Sequence, residues 1–202
     1  MSIKPIERMI TDINQLDVTK TYTYADYLLW EFSERVELIK GRVFKMSPSP
    51  KRIHQKISWE ISYLIGKTIK KNKNKCTAFT APFDVRLSKK KKDQQIETVV
   101  QPDICVICDE KKLDDRGCLG APDLIVEILS RSTSKKDLKD KKELYEENGV
   151  EEYWVVHPTE ATLMQFVLEN KKYKMVDIFT EGDIVKSAVL KDFELDLNEV
   201  FN

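Results

Sequence analysis

A carboxylate stands in the middle of an apolar strand pattern. Residues 120–130 read Gly-Ala-Pro-Asp-Leu-Ile-Val-Glu-Ile-Leu-Ser. Alternation puts Asp123, Ile125, Glu127 and Leu129 on one face, with Leu124, Val126 and Ile128 on the other. An unpaired buried charge costs roughly several kcal/mol, so Glu127 must be protonated, hydrogen-bonded, ion-paired or bound to a cation. A second apolar run, residues 104–107, is also opened by a Pro-Asp pair and delivers Asp103 beside the first acid. Acids on two neighbouring strands suggest a metal site, and oxygen donors of this kind suit Mg2+ or Mn2+.

Other elements must bring the remaining chemistry to these strands. Ser132, Thr133, Ser134 and Asp137 start a helix that stops at Asn148-Gly149. Its inward stripe is Leu138, Lys141 or Lys142, and Leu144 or Tyr145, so one lysine faces the strand of Glu127. The alternative is a lysine whose stem lies along the core edge with its ammonium in water. Residues 152–156 then close a strand–helix–strand unit, expected to be parallel and right-handed. Upstream, residues 35–46 form a hairpin around Lys40-Gly41, with Glu37 on the face of Ile39 as either a surface acid or a site acid. A long helix over residues 53–69 packs on the sheet, and His54 at its start is a packing or hydrogen-bonding histidine with no assigned role. The helix's basic end (residues 67–75) and the run Lys89–Lys92 read as solvated charge, with phosphate contact as the alternative.

The chain has 202 residues, 41% hydrophobic and 34% charged, which suits one domain with a proper core better than two small ones. Its 34 basic and 34 acidic residues cancel, so any nucleic-acid binding has to come from local patches. The N-terminus lacks a signal-peptide pattern and no run is long enough to span a bilayer, so the expectation is a soluble, cytoplasmic protein without a membrane partner. In that setting Cys76, Cys105, Cys108 and Cys118 are expected as reduced thiols, with Cys105 and Cys108 packed in the core rather than holding zinc. Residues 1–20 form an arm with a short amphipathic helix over Ile6, Met9, Ile10, Ile13 and Leu16. Thr23 caps a further helix running to Trp30, and a C-terminal β-hairpin spans residues 163–179.

Several motifs occur together in a recognisable order: Val36-Glu37-Leu38-Ile39-x-Gly41, His54-Gln55, Pro82-x-Asp84-Val85-Arg86-Leu87, Gln101-Pro102-Asp103, residues 120–130, Lys141-x-x-x-Tyr145 and Glu152-Tyr153-Trp154. Together they resemble the Uma-two family of bacterial endonucleases over about residues 20–201. The resemblance implies an α/β (α+β) fold with a mixed sheet and flanking helices, the restriction-endonuclease-like core of the PD-(D/E)xK group, in a single domain over residues 21–202. It implies a metal-dependent endonuclease acting on DNA, with Asp103 and Glu127 as metal ligands and Ile128 lending its backbone carbonyl. The wider group carries a lysine two residues after the acid, where this chain has Leu129; the family pattern moves the lysine to Lys141, four residues before Tyr145. Glu37 matches the acid of the family's first-helix region, completing the metal shell or polarising the lysine. His157 departs from the family's Asp after the Tyr-Trp strand. A homodimer would present two sites to two strands. The alternative is a non-catalytic module of the same fold that binds nucleic acid or a protein.

Overall fold

The computed structural model describes residues 9–46, 51–73, 75–130 and 135–202, the side chains of 135–137 excepted. The amphipathic helix expected in the arm is absent from its described part, which instead holds a single 3-10 turn at Ile13–Gln15; the remainder lies outside the described residues. Ile13 and Leu16 are buried against Val36. At α1 (Tyr24–Tyr27) the Asp26 carboxylate accepts from both the N–H and the hydroxyl of Thr23, each at 2.7 Å. This helix ends after one turn rather than at Trp30, because Trp30 bridges to Ile10 and the flanking N–H groups of Ile10 and Glu31 bond across that bridge.

The hairpin β1 (Val36–Ile39) and β2 (Arg42–Lys45) turns through Lys40 and Gly41, both at positive φ, and a Cβ at Gly41 would lie 2.9 Å from the Thr21 Cβ. There follow α2 (Arg52–Lys71), β3 (Thr77–Thr80), β4 (Val85–Arg86), β5 (Val99–Val100), β6 (Ile104–Ile107), β7 (Leu113–Asp114), β8 (Gly117–Leu119) and β9 (Leu124–Ile128). The chain finishes with α3 (Lys135–Asn148), β10 (Glu152–His157), β11 (Thr162–Glu169), β12 (Lys172–Thr180), β13 (Ile184–Lys186), β14 (Glu194–Asp196) and α4 (Leu197–Phe201).

The strands form two six-stranded sheets, ordered β2-β1-β5-β4-β8-β7 and β12-β11-β10-β9-β6-β3, plus a β13-β14 ribbon. In the second sheet β9 runs parallel to β10, as the strand–helix–strand pattern predicts, and antiparallel to β6. One face of that sheet, with Ile104, Val106, Leu124, Val126 and Ile128, packs on Ile57, Ile61 and Ile65 of α2. The other face, with Cys105, Ile125, Tyr153 and Val155, meets Leu144 and Tyr145 of α3 and Val85, Val100 and Cys118 of the first sheet. The alternation of β9 therefore sends the Glu127 side chain toward α3. Among the described residues, no helix is long and apolar enough to cross a membrane.

The expectation of four reduced thiols is overturned at two positions. Antiparallel pairing of β3 with β6 sets Thr77 opposite Ile107, so Cys76 and Cys108 meet one step beyond the ladder and form a disulfide. Cys105 and Cys118 are free and buried, as core packing requires. The strand Cys105 belongs to points it away from Cys108, which is why the two cysteines do not act together.

Candidate active site

The β6–β9 register, with Ile104 opposite Val126, continues to bring Asp103 alongside Glu127. Asp103 Oδ2 accepts from the Ile128 N–H at 2.7 Å, which ties the Pro-Asp corner to the end of β9. On the other side of the strand, α3 supplies Lys141 and, one turn later on the same face, Tyr145. Lys141 Nζ donates to Glu127 Oε1 at 2.8 Å and to Glu37 Oε1 at 3.1 Å. The Tyr145 hydroxyl donates to the same Glu127 oxygen at 2.6 Å. The choice between lysines is thereby resolved: Lys142 lies over the rings of Phe166 and Tyr173, 5.1 and 5.8 Å from their centroids.

Glu37 is buried, which removes the surface-acid alternative. It sits on β1, as the hairpin pattern predicts, with β5 paired along the strand's other edge, and the Gln101 N–H donates to its Oε1 at 3.0 Å. Asp123 lies at the opposite end of β9, where its Oδ2 accepts from the Cys108 N–H at 2.7 Å; it serves as the residue that starts the strand. Leu129, at the usual lysine position, lines the cleft and packs with the apolar cluster under α3.

Three groups that the sequence left without a role join the site. His54, in the first turn of α2, places Nε2 3.3 Å from Asp103 Oδ2. Tyr145 lies within the matched motif, but only the fold shows that its hydroxyl completes the Glu127 contacts. Gln101 presents its side chain to Arg35 at 2.8 Å and to Asp84 at 2.9 Å, linking the first sheet to the site. The helical spacing of Lys141 and Tyr145 could have signalled the second; His54 and Gln101 lie in the motifs His54-Gln55 and Gln101-Pro102-Asp103, but their contacts depend on the fold. Neither His157 nor Lys89–Lys92 lines the cleft.

Cleft and charge fit together. A cavity of about 460 Å3 is bounded by Glu37, Asp103, Glu127, Ile128, Lys141 and His54, with Arg35, Lys40 and Lys45 among its other walls. Burial pushes the Glu127 carboxyl up to about 7; the Lys141 charge opposes this, while Asp103 and Glu37 add to it. Lys141 is depressed most by burial, yet the charges of Glu127 and Glu37 outweigh that and hold it above its ordinary value. For His54, burial acts downward, but the hydrogen bond and charge of Asp103, with the Ile128 carbonyl and Glu127, leave the imidazole raised. Among the described residues, no three His, Cys, Asp or Glu side chains form a preformed cation cage. The donor chemistry still suits a hard divalent ion: carboxylate oxygens from neighbouring strands, a backbone carbonyl at the same corner, and acids whose mutual repulsion raises Glu127.

The Glu127 shift has a pH consequence. The folded chain favours the neutral acid, whereas the unfolded chain ionises near the ordinary value of 4.5, so Glu127 contributes stability below about pH 4.5 that is lost as pH rises through about 7. In chelating buffer, the unfolding midpoint of the wild type minus that of Glu127→Gln is expected to decrease over this interval. A constant difference would show that Glu127 ionises as it does in the unfolded chain.

Comparison with known proteins bears on the family and the fold. Residues 24–198 match the Uma-two family model, described as "Putative restriction endonuclease". A solved structure from Anabaena variabilis, described as a "putative nuclease belonging to DUF820", superposes with a TM-score of 0.69 at 20% identity, covering 89% of this chain and 97% of that one. That similarity establishes the shared fold. No curated protein matches the chain.

Proposed function

Because the chain belongs to the Uma-two family, we propose that it is a metal-dependent endonuclease hydrolysing phosphodiester bonds of DNA, with Asp103, Glu127, Lys141 and Glu37 as its machinery. The observation that carries this reading is the position of Lys141, bridging Glu37 and Glu127 in the cleft beside Asp103. A lysine reaches the acids from α3 even though β9 carries Leu129 where a strand-borne lysine would stand.

In this reading Asp103, Glu127 and the Ile128 carbonyl would hold Mg2+ or Mn2+. When bound, the ion supplies polarisation of the phosphodiester and stabilisation of the leaving oxygen. The protein groups do the rest. Two acids keep Lys141 an ammonium, so it orients the attacking water by donating hydrogen bonds and neutralises developing charge rather than accepting a proton. Tyr145 fixes the Glu127 carboxylate, and the Ile128 N–H and His54 fix that of Asp103. Arg35, Lys40 and Lys45 on the cleft walls offer charge to the flanking phosphates. A homodimer is the assembly that sets two such sites against two strands.

A second reading has its own support. Lys141 already satisfies two acids and no three-group cage exists among the described residues, as expected for a non-catalytic module that binds nucleic acid or protein. Incubation with supercoiled plasmid and Mg2+, beside a Glu127→Ala control, separates the two. Nicking by the wild type alone supports the nuclease; equal nicking by both indicates a contaminant; no cleavage across duplex, single-stranded and RNA substrates favours the module.

A further inference from the structure

The solvent side of α2 carries a pattern that the site does not use. Arg52, Lys56, Trp59, Tyr63, Lys67 and Lys70 recur at helical spacing and all are exposed, while Ile57, Ile61 and Ile65 face the sheet. They form one stripe about 27 Å long at the helical rise per residue. Trp59 is 69% exposed and Tyr63 52%, far more than packing against the protein would leave. Lys67 Nζ stands 5.9 Å from the Tyr63 ring centroid, and Lys56 donates to a main-chain oxygen of Asn202. Glu60 is the single acid within α2. The stripe runs along the helix whose first turn places His54 at the cleft, although none of the stripe's own residues lines the cleft.

We propose that this face binds single-stranded nucleic acid, with bases stacked on Trp59 and Tyr63 and phosphates held by Arg52, Lys56, Lys67 and Lys70. The substrate class rests on the nuclease reading above, since the same helix carries His54 to the cleft. Two rings one helical turn apart, flanked by cations at both ends, suit a chain of unpaired bases whose flat faces stack without sequence preference. A duplex would engage the cations but leave both rings in water. The chain's net charge of zero means that this affinity is local, as a stripe of one sign in a balanced surface provides.

The test is fluorescence anisotropy of labelled oligothymidine with the full chain in chelating buffer, where hydrolysis does not interfere. Joint replacement Trp59→Ala/Tyr63→Ala is expected to weaken binding about tenfold or more with the circular dichroism spectrum unchanged. Lys67→Gln/Lys70→Gln is expected to flatten the dependence of affinity on salt. Plasmid nicking is measured in parallel so that the two readings fail separately. Nicking retained while oligothymidine binding is absent or indifferent to Trp59 and Tyr63 overturns this inference and leaves the nuclease standing. Binding sensitive to the rings without any nicking overturns the nuclease and leaves this face standing. A shift from dimer to monomer in Trp59→Ala/Tyr63→Ala with oligothymidine binding unchanged makes the face a contact between copies and overturns the inference.

Discussion

Replacing Lys141 by methionine is expected to destabilise the fold by roughly 3–5 kcal/mol near neutral pH, the usual cost of leaving buried charge unpaired. Glu37 and Glu127 share this one ammonium, and each is less than a tenth exposed. Two features of the loss identify its cause. It should grow as pH rises above about 7, because Lys141 lowers Glu127 and without that ammonium the buried acid keeps its proton to higher pH, where losing it leaves a charge with no partner. It should also be partly recovered in Glu127→Gln/Lys141→Met, because contacting residues are coupled by about 0.5–3 kcal/mol. Urea unfolding of the four proteins of this cycle measures both. A loss below about 1 kcal/mol with additive variants would mean that the lysine's contacts are incidental to the fold.

Glu152→Ala is expected to be comparably destabilising, roughly 3–5 kcal/mol, for a different reason. Glu152 is fully buried at the start of β10, and five donors converge on its carboxylate. Trp154 Nε1 and Gln165 Nε2 donate to Oε1 at 2.7 and 2.6 Å; the Ser187 hydroxyl and the N–H groups of Ala188 and Val189 donate to Oε2 at 2.6, 3.0 and 3.0 Å. Removing the acceptor leaves those groups buried without a partner and releases the segment leading into β14. Glu152→Gln should fall between wild type and alanine, since its amide nitrogen faces donors rather than acceptors. Denaturant midpoints with an unchanged slope are the readout. A near-neutral Glu152→Ala would mean that water replaces the carboxylate.

Glu127 and Glu152 show how far the sequence reaches. Both are buried acids on strands of the second sheet, but alternation marks only Glu127, since Glu152 follows Glu151 at the very start of its strand, and it does not say what satisfies either. For Glu127 the answer is an ammonium and a phenol from α3; for Glu152 it is five neutral donors from residues up to 37 positions away. Such partners depend on strand register and on loop paths, which local pattern does not encode. The same limit left Lys141 and Lys142 equivalent by helical periodicity until Phe166 and Tyr173 were found beneath Lys142. The parallel β9–β10 pair, α2 and the C-terminal hairpin were legible because each has a long, clean period. β7 and β13, of two and three residues, are too short to show one. The Cys76–Cys108 bond escaped because it follows from the β3–β6 register alone.

In the proposed function Lys141 and its acids form a hydrolytic centre and not a self-satisfied ion cluster. Single-turnover cleavage of one supercoiled plasmid by the wild type, Lys141→Met and Lys142→Met, each confirmed folded and each run in Mg2+ and in chelator, tests it most directly. The expected result is equal nicking by the wild type and Lys142→Met, a rate about a hundredfold or more lower for Lys141→Met, and no cleavage by any of them in chelator. Folded Lys141→Met that nicks at the wild-type rate, or cleavage that persists in chelator, would contradict it.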